Sequence, residues 1–516
     1  MEEKDVTHDI PRTDSHGHCE IDELKSVSSK DLDDTYEIYK RQDARDIDPQ
    51  EAKRVLRKTD IHIMPLLMGT YMLQFLDKSS INFAAVFGLE EGTNLHGQDF
   101  SCSVTDFDFA LNVDLLKGYL IAQYPAGYLL QRLPTGRLVG VTILIWGTLI
   151  ITTPACNSFA GIATNRFLLG VFEAVVNPAF VLMMSMWYRS DEQPLRLVTY
   201  YCMNGFAGIF GGLLGFALGH ISTGLQNWQY IFLVFGSISI AWAVIFLIFM
   251  PNLPSTARFF SAEQKVVAVE RIATNRQGVK NHTFKWYQAR QAALDPKTWI
   301  LFVMAVAAQI PNAAQSQFTS IILATFGFTP LETQYYGMPG NAIQIVSLLL
   351  SGYISSHWPN MRCITMILGN LICVAAGAAL VGLPNDRVWG RLVALWLGSC
   401  QSVGFAMSLT MVSSNIAGCT KKQILISSSS IIGPQTFIDN EAPSYPSAYI
   451  AILIGYSVKT VMVIILLLYM WMANKKRDRQ AAAAGTLEAE LEEKQAIESG
   501  MQDVTELDNR GFRYSL

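Results

Sequence analysis

From Ile61 to about residue 473 the chain is a succession of apolar stretches. Each is close to the roughly 20 residues that an α-helix needs to cross a hydrocarbon core about 30 Å thick. Clear stretches occupy 63–89, 138–157, 159–187, 197–219, 229–250, 298–325, 335–357, 363–383, 390–416 and 447–473. Weaker ones at 115–131 and 424–438 bring the number to twelve, in two sets of six either side of a hydrophilic stretch. The pattern predicts an all-α, polytopic membrane protein. Its expected divisions are a tail over 1–60, a six-helix half over 61–250, a central loop over 251–297, a second half over 298–473 and a tail over 474–516.

Composition agrees. Half the residues are hydrophobic, mean hydropathy is +0.25 and only 16% are charged, against roughly 25% in soluble proteins. The charges crowd into the two tails and the central loop. That distribution excludes a disordered chain, a nucleic-acid binder and an ordinary cytosolic enzyme. The eight cysteines include no C-x-x-C pair and read as small apolar fillers. The charged first sixty residues lack the short apolar core of a signal peptide, so a solvated cytosolic tail is expected there.

Basic residues set the expected orientation, because Lys and Arg are retained on the cytoplasmic side. Lys53, Arg54, Arg57 and Lys58 precede the first span, Arg132 and Arg137 follow the second, and Arg189 and Arg196 follow the fourth. The central loop, Arg362, Lys421, Lys422 and the Lys475-Lys476-Arg477 cluster continue the series. The alternate loops are nearly bare, with Arg387 the exception. Both termini are therefore expected inside, most naturally at the plasma membrane.

The two halves share a motif. "GYLLQRLPTGR" follows the second span and "GYISSHWPNMR" follows the eighth, with Gly127/Gly352, Tyr128/Tyr353, Pro134/Pro359 and Arg137/Arg362 at matching offsets. Parallel six-helix repeats of this kind build many secondary transporters. No G-x-x-x-x-G-K-[ST] loop is present, which argues against an ATP-driven pump.

Ionisable residues inside spans are costly and mark sites or internal pairs. Asp77 and Lys78 lie midway along the first span, about 100° apart on a helix. Lys78 suits an anionic substrate; Asp77 is its tuner or a packing anchor, and a purely structural pair is the alternative. In the fourth span, Arg166, Gly170 and Glu173 share a face. Glu173 is the first candidate for a proton-binding group, against a buried carboxylate that merely locks Arg166. Asn177 and Pro178 are expected to loosen the helix beyond it. Asn204 opens a glycine-rich stretch through Gly205, Gly208, Gly211, Gly212 and Gly215, which reads chiefly as helix packing. Gln309, Asn312, Gln315 and Gln317 surround Pro311 with uncharged donors and acceptors suited to amide or ureido groups. No metal or cofactor motif is present in the sequence, so none is expected.

These motifs carry a resemblance. "GYLLQRLPTGR" is similar to the signature loop of the major facilitator superfamily, with Gln131 where Asp is usual. "FLDKSSINFAAVFGL", "NRFLLGVFEAVVNPAFVLMMSMWYR", "IIGPQTF" and the ending "DVTELDNRGFRYSL" resemble the fungal allantoate permease family, in the anion:cation symporter branch. The resemblance covers about residues 40–516. It implies the major facilitator fold, with 12 transmembrane helices in two six-helix halves. It also implies proton-coupled movement of small organic anions such as allantoate, ureidosuccinate, nicotinate, pantothenate, biotin or small peptides. Lys78, Arg166 and Glu173 fall at positions where that family's substrate and proton sites are expected. Substrate contacts are assigned to Lys78, Asn204, Gln309 and Asn312, and proton coupling to Glu173, Arg166 and Asp77. The signature loop, with Gly127, Arg132, Gly136 and Arg137, is the expected conformational gate. A monomer in the bilayer is expected, with a small organic anion and protons as partners.

Two segments depart from the family pattern. Residues 101–117 bring Asp106, Asp108, Asp114 and Lys117 in front of the second span, and 424–430 shorten the eleventh. Altered splicing, a gene-model error or a degenerated, non-transporting paralogue would account for them. Export of a secondary metabolite is the other reading of the fold; the absence of Pro from "NGFAGIFGGLLG" favours uptake.

Overall fold

The computed structural model describes residues 48–86, 118–119, 121–156, 158–219, 221, 224–276, 283–317, 323, 330–384, 387–429, 446–484 and 495–516. The unusual segment 101–117 lies outside the described residues, as do the residues beyond Ser429 in the expected eleventh span. Among the described residues there is helix and no strand.

In the N-terminal half the helices are α1 (Pro49–Val86), α2 (121–132), α3 (Thr135–Thr152), α4 (Phe159–Glu173), α5 (Val176–Trp187), α6 (Gln193–Tyr201), α7 (Met203–Gly219) and α8 (Asn227–Phe249). Two shorter helices follow in the central stretch, α9 (Ala262–Ala273) and α10 (Trp286–Leu294). The C-terminal half holds α11 (Pro296–Gln317), α12 (Pro330–His357), α13 (Arg362–Gly382), α14 (Val388–Gly398), α15 (Gln401–Asn415), α16 (Cys419–Ser429) and α17 (Pro446–Ala484). Where the expected spans fall on described residues they coincide with helix, the fourth, fifth and tenth each being built from two abutting pieces. Among the described residues seven helical stretches are long and apolar enough to cross a membrane, among them Asn227–Phe249 and Arg362–Gly382. The first helix has the length but is diluted by its basic start and by Asp77 and Lys78. The apolar part of α11 stops at Ala308, where the polar Gln309–Gln317 segment begins.

Within the first half α3 packs on α8 and α4, and α1 on α7 and α8; within the second, α11 and α13 pack on α17. The halves meet where α12 lies along α6 and α7 and where α15 lies against α5 and α6. Gly205 and Gly208 of α7 serve this seam. A Cβ on Gly205 would come within 2.6 Å of Ile345 Cγ1, and one on Gly208 within 2.5 Å of Asn341 Nδ2. Outward-facing Ile121, Ile248, Phe249, Val346, Leu368 and Ile454 stay exposed. Such a belt is costly in water and natural against lipid. The chain is a multi-pass membrane protein.

The basic loops gather on one side. The guanidinium of Arg362, after α12, donates to the carbonyl of Ser190 between α5 and α6, and Arg189, Arg276 and Arg362 line a single cavity of about 590 Å³. We refer to this side as the basic face.

Candidate functional site

The site is built around a break in the fourth span. Pro178 has no N–H to offer the carbonyl of Ala174, four residues back. The helix stops at Glu173 and resumes at Val176. Glu173 is thus the last residue of α4, buried within the half, and it faces α1. There Lys78 Nζ lies 3.3 Å from its Oε1. The two ends differ in access: the Lys78 side chain is 39% exposed and that of Glu173 4%. Lys78 also lies over the ring of Tyr119, 5.7 Å from its centroid. The Tyr119 hydroxyl accepts from Asn177 Nδ2 at 3.1 Å. One cation, one carboxylate, a phenol and an amide from three spans therefore converge at the break. Tyr119 and Asn177 were not among the residues assigned to the site from sequence, although the "NP" pair after Glu173 marks where the helix yields.

Asp77 points elsewhere. Its Oδ2 accepts from Trp146 Nε1 at 2.6 Å and from Ser239 Oγ at 3.0 Å, tying α1 to α3 and α8. This is the geometry of a packing anchor. Arg166 is buried with its guanidinium 5.4 Å from the ring centroid of Phe232 in α8. The shared helix face therefore does not make Arg166 the direct partner of Glu173; that partner is Lys78.

Asn204, at the start of α7, lies beside the phenols of Tyr71 and Tyr201. Both belong to an aromatic group with Tyr200 and Phe180. In the second half Asn312 accepts from Gln401 Nε2 at 3.3 Å. Gln309 lies on α11, and its side chain is outside the described residues.

A buried lysine that sequence reasoning passed over lies behind Gln401. Lys459, a third of the way along α17, is 0% exposed, and its Nζ is 3.5 Å from the Gln401 carbonyl. Both side-chain polar atoms of buried Asn370 and the Oε1 of Gln401 find no hydrogen-bond partner among the described residues. Gly404 makes room for this group, since a Cβ there would stand 2.4 Å from Asn370 Oδ1 and 2.6 Å from Lys459 Nζ. No carboxylate among the described residues is within ion-pair distance of Lys459. A lysine inside a span was itself the missed signal.

At the basic face, Arg132 is exposed with its guanidinium over the Tyr128 ring, 4.6 Å from the centroid. The Arg137 N–H donates to Asn252 Oδ1 at 3.3 Å, and Gly136 is packed so closely on the end of α8 that a Cβ would meet that oxygen at 3.1 Å. Gly127 is buried on α2. Gln131, where Asp is usual, donates to Thr420 Oγ1 at 3.2 Å and to the Thr283 carbonyl at 2.7 Å. An amide can donate here and an ionised carboxylate cannot. The second copy of the motif spans the halves more directly: Arg362 donates to Ser414 Oγ at 2.7 Å as well as to Ser190.

The known proteins that the chain resembles agree with this architecture. The profile of the Major Facilitator Superfamily matches residues 67–423. An uncharacterized transporter of Schizosaccharomyces pombe is 32% identical over 472 residues, covering 90% of this chain and 88% of its own. Allantoate permease of Saccharomyces cerevisiae is 30% identical over 509 residues, covering 95% and 91%. Among solved structures, the proton:xylose symporter XylE bound to 6-bromo-6-deoxy-D-glucose superposes with a TM-score of 0.60 at 12% identity, over 81% of this chain and 96% of that one. The chain is a transporter, not an enzyme: it belongs to the Major Facilitator Superfamily and, within it, to the allantoate permease-like family.

Proposed function

We propose that the protein takes up a small organic anion together with protons, and that the Lys78–Glu173 pair couples the two. The observation that carries this reading is the 3.3 Å contact between a part-exposed ammonium and a carboxylate buried behind it. With Glu173 ionised, the charge of Lys78 is answered internally and a substrate carboxylate gains little from it. Once Glu173 takes a proton, Lys78 is left to an incoming anion. Proton and anion then bind cooperatively, and the pair arrives electrically neutral with respect to the site. Release follows in reverse on the less acidic side. The helix break at Ala174 and Val175 gives Glu173 a hinge by which its environment can change as the halves move.

Substrates of this class are small carboxylates with amide or ureido groups, for which Asn204, Gln309 and Asn312 supply uncharged partners. The similarity to allantoate permease makes allantoate the first acid to test. In this reading the basic face is cytoplasmic and the protein works at the plasma membrane. Arg132, Gly136 and Arg137 act in gating, and Arg166 tunes Glu173 from the same helix.

The test is uptake of labelled allantoate, and of related small acids, into proteoliposomes with and without an inward proton gradient. The wild-type protein accumulates substrate in an acid-stimulated manner. Glu173→Gln loses gradient-driven accumulation while retaining exchange of internal for external substrate. Gradient-driven accumulation by that variant at the wild-type level would remove Glu173 from the mechanism.

A further inference from the structure

The last described segment, 495–516, is bound to the basic face in an asymmetric way. Toward the C-terminal half its attachment is extensive and polar. Asp503 Oδ1 accepts the N–H of Cys419 at 2.6 Å, and Glu506 Oε2 that of Ala417 at 2.9 Å, so two carboxylates cap the start of α16. Glu506 also pairs with Lys297 at 2.6 Å and Lys421 at 2.5 Å. Asn415 and Asn474 clamp the backbone of Ser515 and Tyr514, each through two hydrogen bonds.

Toward the N-terminal half the attachment is small. Among the described residues it is made by α9 and Arg276 just after it. Met501 is buried against Val269 and Ala273, with Ile497 at its edge. Gly500 lies against the Arg276 backbone, where a Cβ would meet Arg276 C at 2.5 Å, and the Arg276 guanidinium donates to the Gly511 carbonyl. Helix α9 itself is fixed to the first half. Arg271 pairs with Glu192 at 2.6 Å, Lys58 donates to Gln264 at 2.7 Å, and Asn275 is held by the Ser190 N–H at 2.8 Å and the Tyr188 carbonyl at 3.0 Å.

The segment is therefore a strap from one half to the other, strong at one end and weak at the other, across a seam that is shut at this face. Ser413 Oγ donates to Gln193 Oε1 at 2.6 Å across that seam. An alternating-access carrier must part its halves here at some stage of its cycle. Parting breaks the weaker attachment first. We infer that the contact of Ile497, Gly500, Met501 and Gly511 with Val269, Ala273 and Arg276 is a releasable clasp. It holds the basic face closed, and the strap rides with the C-terminal half when the face opens. The clasp operates whatever the substrate is.

The test reads opening without transport. Ser413→Cys places a thiol at a fully buried seam position, and labelling of that thiol by a hydrophilic maleimide in purified full-length protein reports opening of the basic face. Labelling of the parent chain is subtracted. Met501→Asp and, separately, Arg276→Ala are expected to raise the labelling rate of the seam thiol by about tenfold or more, a factor that one lost buried contact supplies. Arg513→Ala, which removes a strap contact to Asp478 only on the strong side, leaves the rate unchanged. If Met501→Asp does not fold, Val269→Cys with Met501→Cys serves in its place. Oxidation to the disulfide is expected to lower labelling of the seam thiol below that of the reduced protein, and reductant to restore it. Unchanged labelling in the folded clasp variants, or equal rates in the oxidised and reduced forms, would overturn the inference.

Discussion

Glu506→Gln is a severe perturbation for a conservative change of shape. Asp295, Lys297, Lys421 and Glu506 are all 0% exposed, and together they carry no net charge. Glu506 Oε1 answers both ammonium groups, at 2.6 and 2.5 Å, while Asp295 Oδ2 stands 2.8 Å from Lys421 and 3.9 Å from Lys297. Amidation leaves two buried cations on one carboxylate. Removing one partner of a buried pair costs about 3–5 kcal/mol. At 1.4 kcal/mol per decade this moves the docked strap toward release by a factor of about a hundred to a few thousand. The assay is hydrogen exchange of the 495–516 amides, followed by mass spectrometry. Their protection is expected to fall by that factor in Glu506→Gln. Adding Lys421→Met restores neutrality, with Asp295 left facing Lys297, and is expected to recover more than half of the lost protection. Wild-type protection in the single variant, or a further loss in the double one, would refute the charge-balance argument.

Other outcomes follow from the same geometry. Lowering the pH from 7 to 5 leaves the strap docked. Burial alone would raise the Glu506 carboxyl, but Lys297 and Lys421 hold it down at about 2, so its contribution is complete above the ordinary carboxylate range and lost only toward pH 2. Asp503 is pushed up by burial against the pull of Lys285, so taking up a proton favours its docked form; exchange protection measured across this range checks both. Asp77→Ala orphans the Trp146 and Ser239 donors, at about 1–3 kcal/mol each, and lowers the melting temperature in detergent, whereas Asp77→Asn keeps the acid stimulation of uptake. Lys459→Met removes a buried ammonium with no carboxylate beside it among the described residues and leaves thermal stability equal or higher. A fall of many degrees would reveal an anionic partner.

What was legible in the chain was what lipid imposes. Span length, the alternation of basic loops and the duplicated Gly-Tyr-Pro-Arg motif follow from the bilayer and from repetition, and the expected spans coincide with helix where they fall on described residues. Lys78 and Glu173 stood out because charge inside a span is rare, but their pairing depends on how α1 and α4 rotate against each other. That rotation is set by contacts far apart in sequence, such as Trp146 and Ser239 on Asp77. The seven-residue spacing placed Arg166 and Glu173 on one face and could not show that Phe232 lies under the first and Lys78 beside the second. The tail over 474–516 stood apart from the apolar spans because of its charge. Yet Ala496 is buried, and Asn509 Nδ2 donates to its carbonyl at 2.8 Å within the docked strap. A charged tail looks soluble until its counter-charges are known, and here Lys297 and Lys421 lie 209 and 85 residues away from Glu506 in sequence.

In the proposed mechanism a proton enters with the anion at Glu173, and that can be read at the binding step. Titrating allantoate into purified protein in weak buffer, with a pH indicator, counts the protons taken up per substrate bound. The wild-type protein is expected to take up about one near neutral pH, by the reciprocity of linked binding, and Glu173→Gln none. Equal proton uptake by the two proteins would place the coupling group elsewhere and contradict the mechanism.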